Sequence, residues 1–166
     1  MLRNIFAVFA AVVFASVAAG QVRTYPVPRR VPPPAAVERR VFELVNLERT
    51  TRGLRQLSLV RPLILASREH SANMVRYDFF DHRDHTGRDI RRRTELAGYS
   101  NEHRVAENLF RTSGRSDIAE TAVRMWMRSA GHRKNILDPR LTLTGIGVHA
   151  AADGDIFITQ LFIGDR

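Results

Sequence analysis

A histidine on an apolar helical stripe, a glutamate inside an apolar run and a histidine just after a glycine are the residues best placed for chemistry: His70, Glu107 and His132. His70 shares helical spacing with Leu63, Ala66 and Met74, so it faces a core and needs either a buried partner or a site. Glu107 lies within Val105–Phe110, and His132 follows Gly131 beyond a segment carrying Trp126. Two neutral imidazoles and a carboxylate are a sensible set for a divalent cation such as zinc, with a fourth position open to water. The same trio without metal would let Glu107 hold one imidazole while the other handles a proton. Each residue also has a plainer reading, as a satisfied core histidine, a solvent-facing carboxylate or a residue at a helix end. Three inward polar groups cost much separately and little together, so convergence of His70, Glu107 and His132 is the expectation.

A nucleophile is harder to name. Ser71 adjoins His70, but helical neighbours point about 100° apart. There is no Gly-x-Ser-x-Gly and no His-Glu-x-x-His. Asp81-His82-Arg83-Asp84-His85 is dense in oxygen and nitrogen donors, yet loops are often so composed, and a turn or cleft-rim role is the better reading. His149 alternates with Val148 and Ala150 as the polar side of a strand, and His103 sits in a solvated polar stretch.

These residues must be held by elements that the periodicity outlines. Val37, Val41, Leu44, Val45 and Glu48 give a helix from Ala35 that closes at Gly53. A second starts at Pro62, where proline suits a first turn, and runs its stripe through His70 to Tyr77. Asp89–Leu96 reads as a short basic helix ended by Gly98, and a further helix runs from Ser116 as N-cap through Ile118, Ala122, Met125 and Trp126. Asp153-Gly154 between two apolar stretches signals a hairpin. Helices first and strands last predict an α+β domain with helices packed on an antiparallel sheet.

The 166 residues suffice for one domain with short appendages. Residues 1–20 read as a signal peptide: Arg3, an apolar run from Ile5 to Ala19 shorter than the roughly 20 residues a spanning helix needs, then small residues. Secreted or periplasmic location follows, with no transmembrane segment after cleavage. Residues 21–34 hold five prolines and form an extended linker, leaving 35–166 as the domain. With no cysteine, the fold must hold without disulfides, and any metal must use His and carboxylate. The net charge of +9 suits an anionic partner such as lipid, glycan or another envelope component, and export makes nucleic acid the poorest of these. Lys134 is the only lysine, so the excess of arginine is also what a GC-rich genome's codon bias would give.

Six ordered blocks carry a resemblance. They are Val45-Asn46-Leu47-Glu48-Arg49 with Gly53-Leu54; Ala66–Met74 around His70-Ser71; Phe79-Phe80-Asp81-His82; Ala97-Gly98-Tyr99; Glu107-Asn108-Leu109; and Trp126 through Gly131-His132-Arg133-Lys134-Asn135-Ile136-Leu137. Together they resemble the CAP superfamily of cysteine-rich secretory proteins, antigen 5 and plant pathogenesis-related 1 proteins, in its bacterial SCP-like form. The resemblance implies a single α-β-α sandwich and a cleft of two histidines and acidic residues, sometimes around a divalent cation. Carried over, it assigns His70, Glu107 and His132 to that cleft. Ala106 replaces the family's usual glycine, and Arg128-Ser129 stand where many eukaryotic members have a second glutamate, so a three-ligand cleft is the expectation. Three functions stay open: a binding module for a ligand or divalent cation, a metal-assisted or acid-base hydrolase, and a non-catalytic scaffold.

Overall fold

The computed structural model describes residues 32–100, 102–113 and 117–164. The segments expected to be a signal peptide and, nearly all of it, a linker lie outside the described residues. Helix α1 spans Pro34–Thr50, one residue earlier than expected, because the fixed φ of Pro34 suits the first helical position. Its stripe is Val37, Val41, Val45 and, one step past the expected Glu48, Arg49. The two-residue strand β1 (Ser58–Leu59) leads into α2 (Arg61–Arg76), whose buried face is Leu63, Ser67, His70, Ser71 and Met74. Tyr77 ends outside, stacked on His85.

Helix α3 (Ile90–Leu96) is capped by Asp89, whose carboxylate accepts from Arg92 N–H. Strand β2 (Arg104–Ser113) follows, then α4 (Ile118–Arg128), whose N-cap is Asp117 rather than Ser116, a residue outside the described set. After α5 (Ala130–Leu137), strands β3 (Leu141–Ala150) and β4 (Asp155–Gly164) form the hairpin, turning at Gly154 with a positive φ of 92°.

The sheet order is β1-β3-β4-β2, with β2 and β3 antiparallel to β4. Only the short β1, parallel to β3, makes it mixed rather than purely antiparallel. One face packs Ile146, Val148, Ile156 and Ile158 against α1, α4 and α5. The other meets α2 at very short range: a Cβ on Gly145 or Gly147 would fall 2.2 or 2.1 Å from α2 backbone. Ser67 and Ser71 hydroxyls donate across that seam to the Gly145 and Gly147 carbonyls. The helices thus form outer layers of an α-β-α sandwich.

Two buried side chains pin the sandwich to the site. Arg49, 1% exposed, donates to the carbonyls of Arg55, Ile136, Asp138 and Leu141, fixing the end of α5 and the start of β3. Trp126, also 1% exposed, donates Nε1–H to the Leu109 carbonyl on β2 and is core, not a ligand platform.

Candidate functional site

The site lies along β2, an edge strand of the sheet. Its polar residues break the apolar-in, polar-out rule because helices cover both sides. Asn108 Nδ2 donates to the His132 carbonyl, and Asn135 Nδ2 donates to Glu107 O and Asn108 Oδ1 (3.1 and 3.0 Å). These bonds blunt the strand edge and fix α5, hence His132, beside Glu107.

The structure gives Glu107 a histidine partner, and it is His82. His82 Nδ1–H donates to Glu107 Oε1 at 2.7 Å. Arg93 Nη2 donates to both Glu107 oxygens (3.0 and 2.8 Å) and to the His82 carbonyl (2.8 Å). The Glu107 side chain is 2% exposed, Arg93 8% and His82 58%. A buried carboxylate is therefore paired from behind by a buried guanidinium and in front by an open imidazole. Glu107 raises the His82 pKa through this hydrogen bond.

His132 lines a cleft of about 390 Å³ together with His82, Glu107, Arg104, Lys134 and Ser129. Burial, and then the neighbouring charge of His82, lowers the His132 pKa below the ordinary histidine value. His132 sits in the first turn of α5 rather than in a turn after the Trp126 helix.

His70 lies elsewhere. Its Nε2–H donates to the Asp81 carbonyl at 3.0 Å, and its ring borders a separate cavity of about 40 Å³ with Asn73, Asp84 and Arg93. Burial, then the Arg93 charge, lowers its pKa. The physical reason is the loop after α2: it folds over His70, which anchors the loop backbone while His82 swings out to the cleft. Asp84 holds the loop's shape. It accepts from Thr86 N–H and Oγ1 and from Arg88 N–H and Nε, and although burial alone would raise its pKa, these bonds keep it well below the usual carboxylate range. The Asp81–His85 segment is thus a self-bonded turn, with His82 its cleft-rim member.

Sequence reasoning therefore missed the His82–Glu107–Arg93 unit. Its available signal was Arg93 three residues after Ile90 and four before Ala97, on the apolar side of the short helix. Both Glu107 oxygens are engaged, which leaves the two imidazoles as the free donors. Among the described residues, no three His, Cys, Asp or Glu side chains are arranged to hold a metal ion.

An α-β-α sandwich with a histidine- and glutamate-lined cleft at its sheet edge defines a recognisable class. Residues 42–162 match the cysteine-rich secretory protein family, CAP, and the chain belongs to that family. It is 35% identical over 130 residues to the uncharacterized protein YkwD of Bacillus subtilis (strain 168), covering 78% of this chain and 48% of the relative. The chain thus spans about half the length of that curated relative or less, and 34% of the Bacillus subtilis membrane protein YlbC, also uncharacterized. An extracellular SCP-domain protein of Bacillus anthracis str. Ames superposes with a TM-score of 0.67 at 25% identity, covering 80% of this chain and 41% of that one. The structure of NaASP2 with Zn2+ shares the fold at a TM-score of 0.54 and 13% identity, covering 78% of this chain and 83% of that one. Among the described residues no helix is long and apolar enough to cross a membrane.

Proposed function

We propose that this is an exported CAP-domain binding module that takes its ligand in the cleft between His82 and His132. The observation that carries the reading is the orientation of His82. Its Nδ1–H is committed to the buried Glu107–Arg93 pair, so its other nitrogen is presented to a cleft that His132 also lines. A volume of about 390 Å³ lies within the range of small-molecule sites. Turnover is no part of the reading. Among the described residues, Ser129, the hydroxyl side chain of the cleft lining, makes no hydrogen bond to either imidazole.

The residues do not fit a three-ligand divalent site, because Arg93 and His82 already occupy the Glu107 oxygens. A fold relative solved with Zn2+ makes zinc the comparison arm of the test. The test is a ligand panel of sugar acids, phosphates, neutral sugars and zinc, read by amide NMR of the mature protein. Ligand-induced shifts at Ala106, Gly131 and His132, abolished in His82→Ala and His132→Ala with the fold intact, support the module. Binding that both variants leave unchanged refutes it. Export rests on the Arg3, apolar-run, small-residue order at the N-terminus. Intact mass of material recovered outside the cytoplasm checks it, with an expected start between Ala19 and Val22 and retention of residues 1–18 as the contrary result.

A further inference from the structure

We infer that the cleft selects an oxyanion, a phosphate or carboxylate borne on a unit of about sugar size, rather than a cation. The inference rests on the cleft being the ligand site and assigns the chemistry of what enters it. Charge balance carries it. The cleft lining holds two carboxylates, Glu107 and Asp138, and each is matched by an arginine of its own. Arg93 engages both Glu107 oxygens from the buried side. Arg140 engages both Asp138 oxygens at 2.9 Å, with its own backbone N–H bonded to Oδ1 as well.

Two lining cations then remain. Lys134 is exposed and has no ion-pair partner among the described residues. Arg104 reaches Asp138 only at 3.8 Å, and its Nε is buried with no hydrogen-bond partner among the described residues. The Arg104 side chain is 39% exposed on the cleft lining, and an oxyanion in the cleft is a group of the right sign to pair with its guanidinium.

The local backbone agrees in sign. At the start of α5 Arg133 N–H donates to the Ser129 carbonyl, and the Ser129 side chain makes no cap bond. Gly131 and His132 of that first turn line the cleft. Their amides and the positive end of the helix favour an anion. A divalent cation entering here would instead meet Lys134 and Arg104 with no carboxylate oxygen free to offset them.

The experiment is a titration of the labelled mature protein with inorganic phosphate, glucuronate, glucose 6-phosphate, glucose and zinc chloride, each at constant ionic strength. The account expects the three acids to move the Gly131, His132 and Lys134 amides, glucose to leave them in place, and the two sugar acids to bind more tightly than inorganic phosphate. Lys134→Glu should weaken the acids by about tenfold, one charge-assisted contact's worth, while Lys134→Arg keeps their affinity. Glucose matching glucuronate, or acids insensitive to Lys134→Glu, would overturn the inference. Zinc moving the cleft amides while the acids do not overturns the oxyanion assignment and leaves the cleft as a ligand site. No compound moving those amides removes both readings.

Discussion

Replacing Arg93 by methionine is the sharpest perturbation of the site. The side chain is 8% exposed, and its Nη2 makes three hydrogen bonds, two of them to a Glu107 carboxylate that is itself 2% exposed. Methionine keeps the stem's packing and deletes the charge. Glu107 then keeps only His82, itself largely exposed and a weaker compensator. Leaving one member of a buried pair uncompensated costs about 3–5 kcal/mol. For a domain of this size that is a fall in Tm on the order of 10–20 °C. Reversible urea unfolding of the parent, Arg93→Met, Glu107→Leu and the double variant measures it. The double variant should recover at least half of the single-site loss, because burying neither charge is cheap once both are gone. Arg93→Met within about 1 kcal/mol of the parent, or strictly additive losses, would refute the reasoning.

Three further outcomes follow from the same structure. Trp126→Ala should cost about 3–5 kcal/mol, since it empties a fully buried ring site and strands the Leu109 carbonyl; equilibrium unfolding checks it. Gly147→Ala should cost about 1–3 kcal/mol or more by overpacking, because its Cβ would sit 2.1 Å from Arg68 N and 2.2 Å from Ser67 C, both rigid helix backbone; thermal melting within a degree of the parent would contradict this. His70 gives a pH dependence: its folded pKa lies below the ordinary 6.5, so the unfolded chain takes up the proton first, and its share of stability is lost as pH falls below 6.5. His82 works oppositely, its raised pKa adding stability at low pH that disappears as pH rises through its folded value. His70→Gln should therefore lessen the loss of stability between about pH 6.5 and 5 relative to the parent, and an unchanged slope would count against a buried neutral His70.

The sequence carried most of the frame and about half of the site, for physical reasons that differ by element. Helices α1 and α2 and the β3–β4 hairpin are amphipathic or turn-marked, so period and Asp153-Gly154 suffice. Strand β2 escaped because Glu107 and Asn108 are both buried, so no alternation survives. Helix α5 escaped because Ile136 is its one fully buried residue and Gly131 lies in its first turn. Glu107 and His132 were legible from apolar context and family resemblance, and they reach one cleft. His70 and His82 were not separable, since the helical stripe turns His70 inward without saying what covers it. What covers it is the loop of His82, and only the folded loop places one imidazole under the backbone and the other at Glu107.

The central claim is that His82, held by Glu107, presents its other nitrogen to the cleft. Long-range proton–nitrogen NMR of the histidine rings at about pH 8, in the parent and Glu107→Leu, tests it directly. The account predicts His82 as the Nδ1–H tautomer, its ring proton protected in the parent and lost to exchange in the variant, with His70 unchanged as Nε2–H. A His82 ring that is indifferent to Glu107→Leu, while the His70 ring shifts with it, would contradict the account.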